Sequence, residues 1–281
     1  MYRELYRFGG VTFALKSDAP LERSPVCEAF HVPDGVPDHT ICLRFSDALP
    51  TPPADALRRD DVFRWQVGAQ RHLLQWVSAP GDIPHFTYAV THGAHTDVIF
   101  ASAYRTGASV STALEAVGLF DVFAARGMLV LHSAYIVTSA GEAILFSGPS
   151  GVGKSTQAAL WERCAGARVV NGDRALVDVG KKTANGIFYA GTSGISENVT
   201  APVRAIVLLG QGSENRVFVP SPQAAFAGVL SQCAYYEWDA RSAEQMTECV
   251  ARLVSDVPVL RMDCLPNATA VEALHDQLGG I

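Results

Sequence analysis

Residues Gly148–Thr156 constrain the fold of this chain most, because they place glycines, a lysine and two hydroxyl residues at the spacing of a phosphate-binding loop. The apolar segment Ala143–Phe146 precedes the loop and is typical of a short buried strand. The segment Gln157–Arg163 follows it with a helical pattern. A strand, a glycine-rich loop and a helix in this order form a nucleotide site. The sequence therefore predicts an α/β unit that binds a nucleotide.

The residues of the loop have separate predicted tasks. Backbone N–H groups from Ser150 to Ser155 are expected to surround phosphate oxygens, aided by the positive end of the following helix. Lys154 is expected to reach the β- and γ-phosphates, and the Ser155 hydroxyl to ligate Mg²⁺. A glycine-rich turn without a ligand is the alternative. The predicted nucleotide-binding residues are Gly148, Ser150, Gly151, Val152, Gly153, Lys154, Ser155 and Thr156.

A second metal ligand is predicted downstream of the loop. Residues Ala167–Arg174 have the pattern of an apolar strand that ends on a carboxylate, Asp173. Enzymes with a phosphate-binding loop use such an aspartate to hold Mg²⁺. Asp173 and Ser155 are thus the predicted metal ligands, and Asp173 is also a predicted catalytic residue. The alternative is an aspartate in a turn beside Gly172.

The first hundred residues have a different pattern from the rest. The segments Leu5–Phe8 and Val11–Leu15 flank two glycines and predict a hairpin. Further strands are predicted over residues 39–45, 62–67, 73–77, 86–90 and 97–101. We expect a mostly β domain over residues 1–105, with a role in acceptor recognition, and a catalytic domain over 106–281. An amphipathic helix over Ser109–Arg126 is expected to open the second domain.

Composition excludes several classes of partner. The net charge is −6, without a run of lysine or arginine, so neither a nucleic acid nor an anionic membrane is an expected partner. The six cysteines include no Cys-x-x-Cys pair, which argues against a zinc ribbon or a redox motif. No apolar run approaches transmembrane length and no signal-peptide pattern is present, so a cytoplasmic protein is expected. A homo-oligomer is compatible with the sequence.

One histidine pair also suggests metal chemistry. His92 and His95 lie three residues apart in the segment 92–97, which is predicted to be a turn between two strands. No further ligand is placed beside them, so a turn is the preferred interpretation.

Three segments together resemble a known family. Leu131-His132, Gly148–Thr156 and Asn171–Arg174 are similar to the catalytic core of HPr kinase/phosphorylase, a core that PEP carboxykinase shares. They also resemble HPr-kinase-like proteins encoded with modified peptides. The resemblance covers about residues 128–210 and implies an α/β, PEP carboxykinase/HPr kinase-like P-loop core that uses ATP and Mg²⁺. It implies that Ser155 and Asp173 hold the metal and that His132 lies near the phosphates.

The chain departs from the family where HPr kinases usually carry two adjacent aspartates, because it has Gly172-Asp173. In the family that pair divides metal ligation from deprotonation of the attacking hydroxyl. Here Asp173 must do both, or a base such as His132 or Glu197 must assist. The family's C-terminal segment that contacts HPr has no match, so HPr is not the expected acceptor.

The sequence leaves two functions open. The first is an ATP-dependent kinase that transfers the γ-phosphoryl group to a hydroxyl of a peptide, a protein serine or threonine, or a small metabolite. Its predicted catalytic residues are Lys154, Asp173, His132 and Arg204, the last as a fixed guanidinium that stabilises the transferring phosphate. For Arg204 a surface position is equally compatible with the pattern, and the segment Gly191–Gly194 is either an acceptor loop or a plain loop. The second function is an ATP-binding regulatory module without phosphotransfer.

Overall fold

The chain folds into two units, each described here by itself. The computed structural model describes residues 1–77 and 85–279. Unit 1 is Met1–Leu119 and unit 2 is Phe120–Ile281. The boundary therefore falls later in the chain than residue 105, where the composition changes.

Unit 1 is built on one nine-stranded sheet with the strand order β3-β1-β2-β4-β9-β8-β7-β6-β5. Neighbouring strands are antiparallel, except that β4 is parallel to both β2 and β9. The hairpin expected at the N-terminus is present as β1 and β2. The strands are β1 (Tyr2–Phe8), β2 (Val11–Ser17), β3 (His31–Val32), β4 (His39–Phe45), β5 (Leu57–Arg59), β6 (Val62–Val67), β7 (Gln70–Val77), β8 (His85–His92) and β9 (His95–Phe100).

The helical part of the boundary region differs from the prediction. A short helix, α1 (Pro25–Glu28), precedes β3, and the single helix expected over Ser109–Arg126 is two helices, α2 (Val110–Glu115) and α3 (Leu119–Ala124). Ser109 caps α2 by accepting a hydrogen bond from the Thr112 N–H. Gly118 then adopts a φ of 67°, which ends one helix before the next begins. The helix α2 therefore belongs to unit 1.

Unit 2 is a mixed α/β unit with an eight-stranded sheet. The long strands β10 and β15 each change partners along their length, and β11, β15 and β17 run parallel. The strands are β10 (Met128–Val137), β11 (Ala143–Ser147), β12 (Arg168–Asn171), β13 (Arg174–Asp178), β14 (Thr183–Asn185), β15 (Thr200–Gln211), β16 (Arg216–Phe218) and β17 (Val259–Cys264). The helices are α4 (Lys154–Ala165), α5 (Pro222–Leu230), α6 (Ala240–Asp256) and α7 (Ala268–Gln277).

Helices cover both faces of the unit 2 sheet. Ile144 and Phe146 of β11 pack in a core with residues of α4 and α7. Leu145, whose side chain points to the other face, packs in a core with residues of α5 and α6. Because β11 is buried on both faces, its sequence is almost entirely apolar. The buried strand anchors the start of the loop that follows it.

Within the described part of the chain, no helix combines the length and the apolar character needed to cross a membrane.

Candidate nucleotide and catalytic site

The loop between β11 and α4 has the backbone of an anion site. Gly148 and Gly153 have φ values of 145° and 112°, a region that L side chains rarely adopt. A Cβ on Gly148 would also lie 3.3 Å from the Leu209 carbonyl oxygen. Gly153 occupies the N-cap position of α4 and supplies no side-chain acceptor for the first N–H groups of the helix. Those N–H groups and the helix dipole favour a phosphate there.

Lys154 is held against this loop. Its side chain is buried, and its Nζ donates to the carbonyl oxygens of Gly148 at 2.9 Å and Pro149 at 3.1 Å. Burial lowers the pKa of Lys154, and the nearby Asp173 carboxylate opposes that shift. An anion in the loop would therefore meet an ammonium group that has lost part of its hydration.

The hydroxyl groups that follow the lysine are accessible. Ser155 and Thr156 open α4 and are both exposed, although the residues on either side of them are buried. A metal ion or phosphate can reach these oxygens without a rearrangement of the helix.

His132 lies where β10 changes partners. Residues up to His132 pair with β13, and residues from Ser133 pair with β11, so His132 lies beside the end of the strand that carries the loop. The Ser147 hydroxyl donates to the His132 carbonyl oxygen at 2.8 Å, and the Ser133 N–H donates to the Asp173 carbonyl oxygen at 2.9 Å. These bonds tie β10 to both the loop and the aspartate.

The side chains of His132 and Asp173 face each other, with Nε2 and Oδ1 3.7 Å apart. Burial lowers the pKa of His132, and Lys154 adds to the shift while Asp173 opposes it. The lowered pKa favours the neutral ring at pH 7, which weakens the electrostatic part of its contact with Asp173. The Arg174 Nε forms an ion pair with the other carboxylate oxygen of Asp173 at 3.2 Å.

Asp173 lies in a turn, which corrects the prediction that it ends a strand. The strand β12 stops at Asn171, and β13 starts at Arg174. Asn171 is fully buried, and its Oδ1 accepts from the N–H groups of Asp173 and Arg174, each at 2.9 Å. Its Nδ2 donates to the Ile187 carbonyl oxygen at 2.8 Å. Asn171 had no predicted role of its own, although Asn before Gly is a turn signal.

The missing second carboxylate has a steric explanation. A Cβ on Gly172 would lie 2.6 Å from the Ser193 Cβ, and one on Gly191 would lie 2.8 Å from the Asp173 Cγ. The short turn Gly191–Ser193 therefore packs directly on Gly172 and Asp173. The Ser193 hydroxyl donates to the Ala190 carbonyl oxygen at 2.7 Å and fixes the turn. An aspartate at position 172 would overlap the Ser193 side chain unless the turn moved.

Arg204 and Glu197 are not brought to this site. In the parallel pair of β11 and β15, the start of β11 lies beside Val203, so Arg204 lies at the end of β11 away from the loop. One Arg204 guanidinium nitrogen donates to the Leu278 carbonyl oxygen at 2.6 Å. The Glu197 carboxylate is paired with Arg168 at 2.6 Å. Neither residue joins the arrangement around Asp173.

A groove of about 340 Å³ lies on the other side of the loop. Thr156 and Gln157 of α4 line one side, and the residues that follow β15 and β17 line the other. The full lining is Gly151, Val152, Gly153, Thr156, Gln157, Gln211, Gly212, Cys264, Leu265 and Pro266.

Comparisons with known proteins add little to this geometry. No family model matches the chain, and no curated protein matches it. Among solved structures, the HPr(Ser) kinase/phosphatase from Coxiella burnetii is similar, with 14% identity, a TM-score of 0.25, and coverage of 54% of this chain and 93% of that chain. A TM-score of 0.25 is too low to support a function for this chain, so the proposal below rests on the chain's own residues.

Proposed function

We propose that the chain is an ATP- and Mg²⁺-dependent kinase that transfers the γ-phosphoryl group to a hydroxyl of a peptide, a protein serine or threonine, or a small metabolite. The observation that supports it best is the convergence of Lys154, His132 and Asp173 beside a loop whose backbone suits phosphate. A lysine, a carboxylate and a phosphate loop are the parts that phosphoryl transfer requires.

The two sides of the loop suggest how the nucleotide lies. Because β11, β15 and β17 are parallel, their carboxyl ends meet at one edge of the sheet, where ligands of α/β proteins bind. The groove at that edge is lined by residues that follow β15 and β17, whereas His132 and Asp173 belong to the opposite side of β11. In the proposed arrangement the base occupies the groove, and the γ-phosphate points toward Asp173.

Ser155 and Asp173 would hold Mg²⁺. The hydroxyl of Ser155 is exposed, and the Asp173 carboxylate is 29% exposed although its backbone is fixed by Asn171. Both offer the oxygen ligands that Mg²⁺ prefers. The bound ion would supply positive charge to the phosphates, which the ammonium group of Lys154 supplements.

Asp173 and His132 would act on the acceptor. An ionised Asp173 can accept a hydrogen bond from the attacking hydroxyl and orient it toward the γ-phosphate. The neutral ring of His132, 3.7 Å from that carboxylate, can share the proton that is released. Arg174 holds the second carboxylate oxygen in place.

The test is transfer from γ-phosphate-labelled ATP. The purified protein is incubated with Mg²⁺, labelled ATP and an extract of the producing cells, and labelled products are separated by mass. Lys154→Ala is expected to lower transfer by at least about 100-fold, because it removes a preorganised cation from the phosphate site. Asp173→Asn is expected to lower transfer by a smaller factor than Lys154→Ala and to keep part of the ATP binding.

The matched control is Lys181→Ala, which removes a lysine of unit 2 whose side chain is 71% exposed. It is expected to transfer label at the wild-type rate. Undiminished transfer by Lys154→Ala would refute the proposal.

A regulatory module that binds ATP without transfer is the second candidate. It is favoured by the presence of one carboxylate, Asp173, where two are usual in HPr kinases, and by the steric exclusion of a second at Gly172. Saturable ATP binding that depends on Lys154, without any labelled product, would establish this function instead.

A further inference from the structure

Three donor groups of different chemistry converge on the sheet of unit 1. The Cys42 thiol, one ring nitrogen of His95 and one carboxylate oxygen of Asp97 all lie within 4.8 Å of one another. None of them takes part in the proposed kinase chemistry, whose residues all belong to unit 2.

Strand pairing brings the three groups together. His95 and Asp97 are two residues apart on β9, so their side chains point to the same face of the sheet. Cys42 of the parallel strand β4 is the direct partner of Asp97 in the register. Because all three positions lie inside regular strands, the backbone that carries the donors is fixed before any ligand arrives.

The distances suit a small divalent ion. Bond lengths of zinc sites place tetrahedral ligand atoms about 3.3–3.7 Å apart. The His95 Nε2 and the Asp97 Oδ1 are already 3.1 Å apart, so closing the cluster around an ion needs side-chain shifts of about 1 Å or less for the thiol. The two side chains of β9 are 46% and 60% exposed, so an ion can enter from solvent.

The donor set indicates which ion. A thiolate, an imidazole and a carboxylate are all zinc ligands, whereas Mg²⁺ and Ca²⁺ bind oxygen almost alone. Three protein ligands leave a fourth position for water. Burial raises the pKa of the Cys42 thiol, and Asp97 adds to the shift, whereas Lys16, the partner of Cys42 on β2, opposes it.

We propose that Cys42, His95 and Asp97 form a zinc site on the sheet of unit 1, with an open coordination position. His92 is the partner of His95 in the register of β8 and β9, but its side chain is not part of the cluster. The site therefore uses His95 from the histidine pair that the sequence suggests. Its other ligands are Asp97 and Cys42, which lies 53 residues before His95 in the chain.

Cobalt(II) provides the test, because a cysteine ligand gives Co²⁺ an intense near-ultraviolet charge-transfer band and a tetrahedral site gives visible d–d bands. The full chain is titrated with Co²⁺ under reducing conditions, and Zn²⁺ is then added to displace it. We expect one equivalent of Co²⁺ with both sets of bands, and their loss on addition of one equivalent of Zn²⁺.

Variants assign the ligands. Cys42→Ser should abolish the charge-transfer band, and His95→Ala and Asp97→Asn should each weaken binding at least about 10-fold. The last two replace exposed side chains, so they test the site even if the cysteine variant folds poorly. His92→Ala and Cys164→Ser, which replace another exposed histidine and an exposed cysteine, should leave the spectrum unchanged. The absence of a thiolate band in the wild type, or its loss in Cys164→Ser, would overturn the proposal.

Discussion

The turn Gly191–Ser193 packs on Gly172. The effect of Gly172→Ala on the free energy of unfolding should therefore change sign when Ser193 is replaced by glycine. In Gly172→Ala the new Cβ would lie 2.3 Å from the Ser193 Oγ and 2.6 Å from its Cβ. Relief of these overlaps requires the turn to move by about 1 Å, and such overpacking typically costs about 1–3 kcal/mol of the free energy of unfolding. The turn also rests on Asp173, so the variant is expected to lower phosphoryl transfer as well.

Ser193→Gly removes both atoms that the new Cβ would meet. By itself it loses the hydrogen bond to the Ala190 carbonyl oxygen and the one accepted from the Ile195 N–H, each worth about 0.5–1.5 kcal/mol, and it adds the flexibility of a glycine, about 0.5–1 kcal/mol. In that background the new Cβ at position 172 no longer meets a side chain at position 193, and the backbone at Gly172 is outside the left-handed region. It should then stabilise the protein by about 0.4–1 kcal/mol, because alanine restricts the unfolded chain.

Urea unfolding monitored by tryptophan fluorescence measures the cycle. Trp65 and Trp76 are replaced by phenylalanine in all variants, so that the signal comes from unit 2 alone, through Trp161 and Trp238. Gly180→Ala serves as the matched control, because its Cβ would lie no closer than 3.6 Å to any atom outside its chain neighbours. Its effect should stay within about 0.5 kcal/mol of the free energy of unfolding.

An equal cost of Gly172→Ala with serine and with glycine at position 193 would refute the steric explanation. A cost of Gly172→Ala no larger than that of Gly180→Ala would refute it as well. Either result would mean that the turn Gly191–Ser193 does not exclude a side chain from position 172, and that the absence of a second carboxylate there has another cause.

Two further predictions concern the residues around Asp173. His132 has a pKa lowered below its ordinary 6.5 by burial, so the unfolded chain binds more protons between these values, and stability should rise with pH across that window and fall as pH drops. His132→Gln should flatten this dependence when urea midpoints are compared from pH 5 to 8, and an unchanged slope would contradict the assignment. Asn171→Ala should cost about 1–3 kcal/mol, because the N–H groups of Asp173 and Arg174 lose their acceptor. Asn171→Asp keeps that acceptor but turns a carboxylate oxygen toward the Ile187 carbonyl oxygen at a fully buried position, so it should lose at least as much stability. A loss well below about 1 kcal/mol in Asn171→Ala would contradict this role.

Local patterns predicted the parts of the fold that depend on neighbouring residues. The strand expected over residues 39–45 is β4 with the same bounds, and the hairpin with two glycines is β1 and β2. The strand, glycine loop and helix around Lys154 were also predictable, because the loop's backbone needs glycines at fixed positions. The break at Gly118 was missed, since the apolar spacing of a helix continues across it.

The missed features depend on contacts between distant residues. Arg204 was expected to start an apolar strand, but β15 begins at Thr200. The parallel register with β11 places Arg204 at the end of β11 away from the loop. The packing of Ser193 on Gly172 joins residues 21 positions apart, and Cys42 reaches Asp97 only through the pairing of β4 with β9. Local propensity and spacing do not determine the register between two distant strands, so these contacts could not be predicted from the sequence.

Because Asp173 is the single carboxylate at this site, it and Lys154 would have different tasks in the proposed phosphoryl transfer. Asp173 is held between Arg174 and the His132 ring, and no second aspartate fits at Gly172. In a loose phosphoryl-transfer transition state the attacking hydroxyl loses its proton late, so a strong base contributes less than charge neutralisation at the equatorial oxygens. Lys154 would supply that charge, whereas Asp173, besides holding the metal, would mainly orient the acceptor, a task that an amide oxygen can partly perform. Under the proposed function Lys154→Ala should therefore lower the transfer rate more than Asp173→Asn, and the reverse order would make proton removal by Asp173 the dominant contribution.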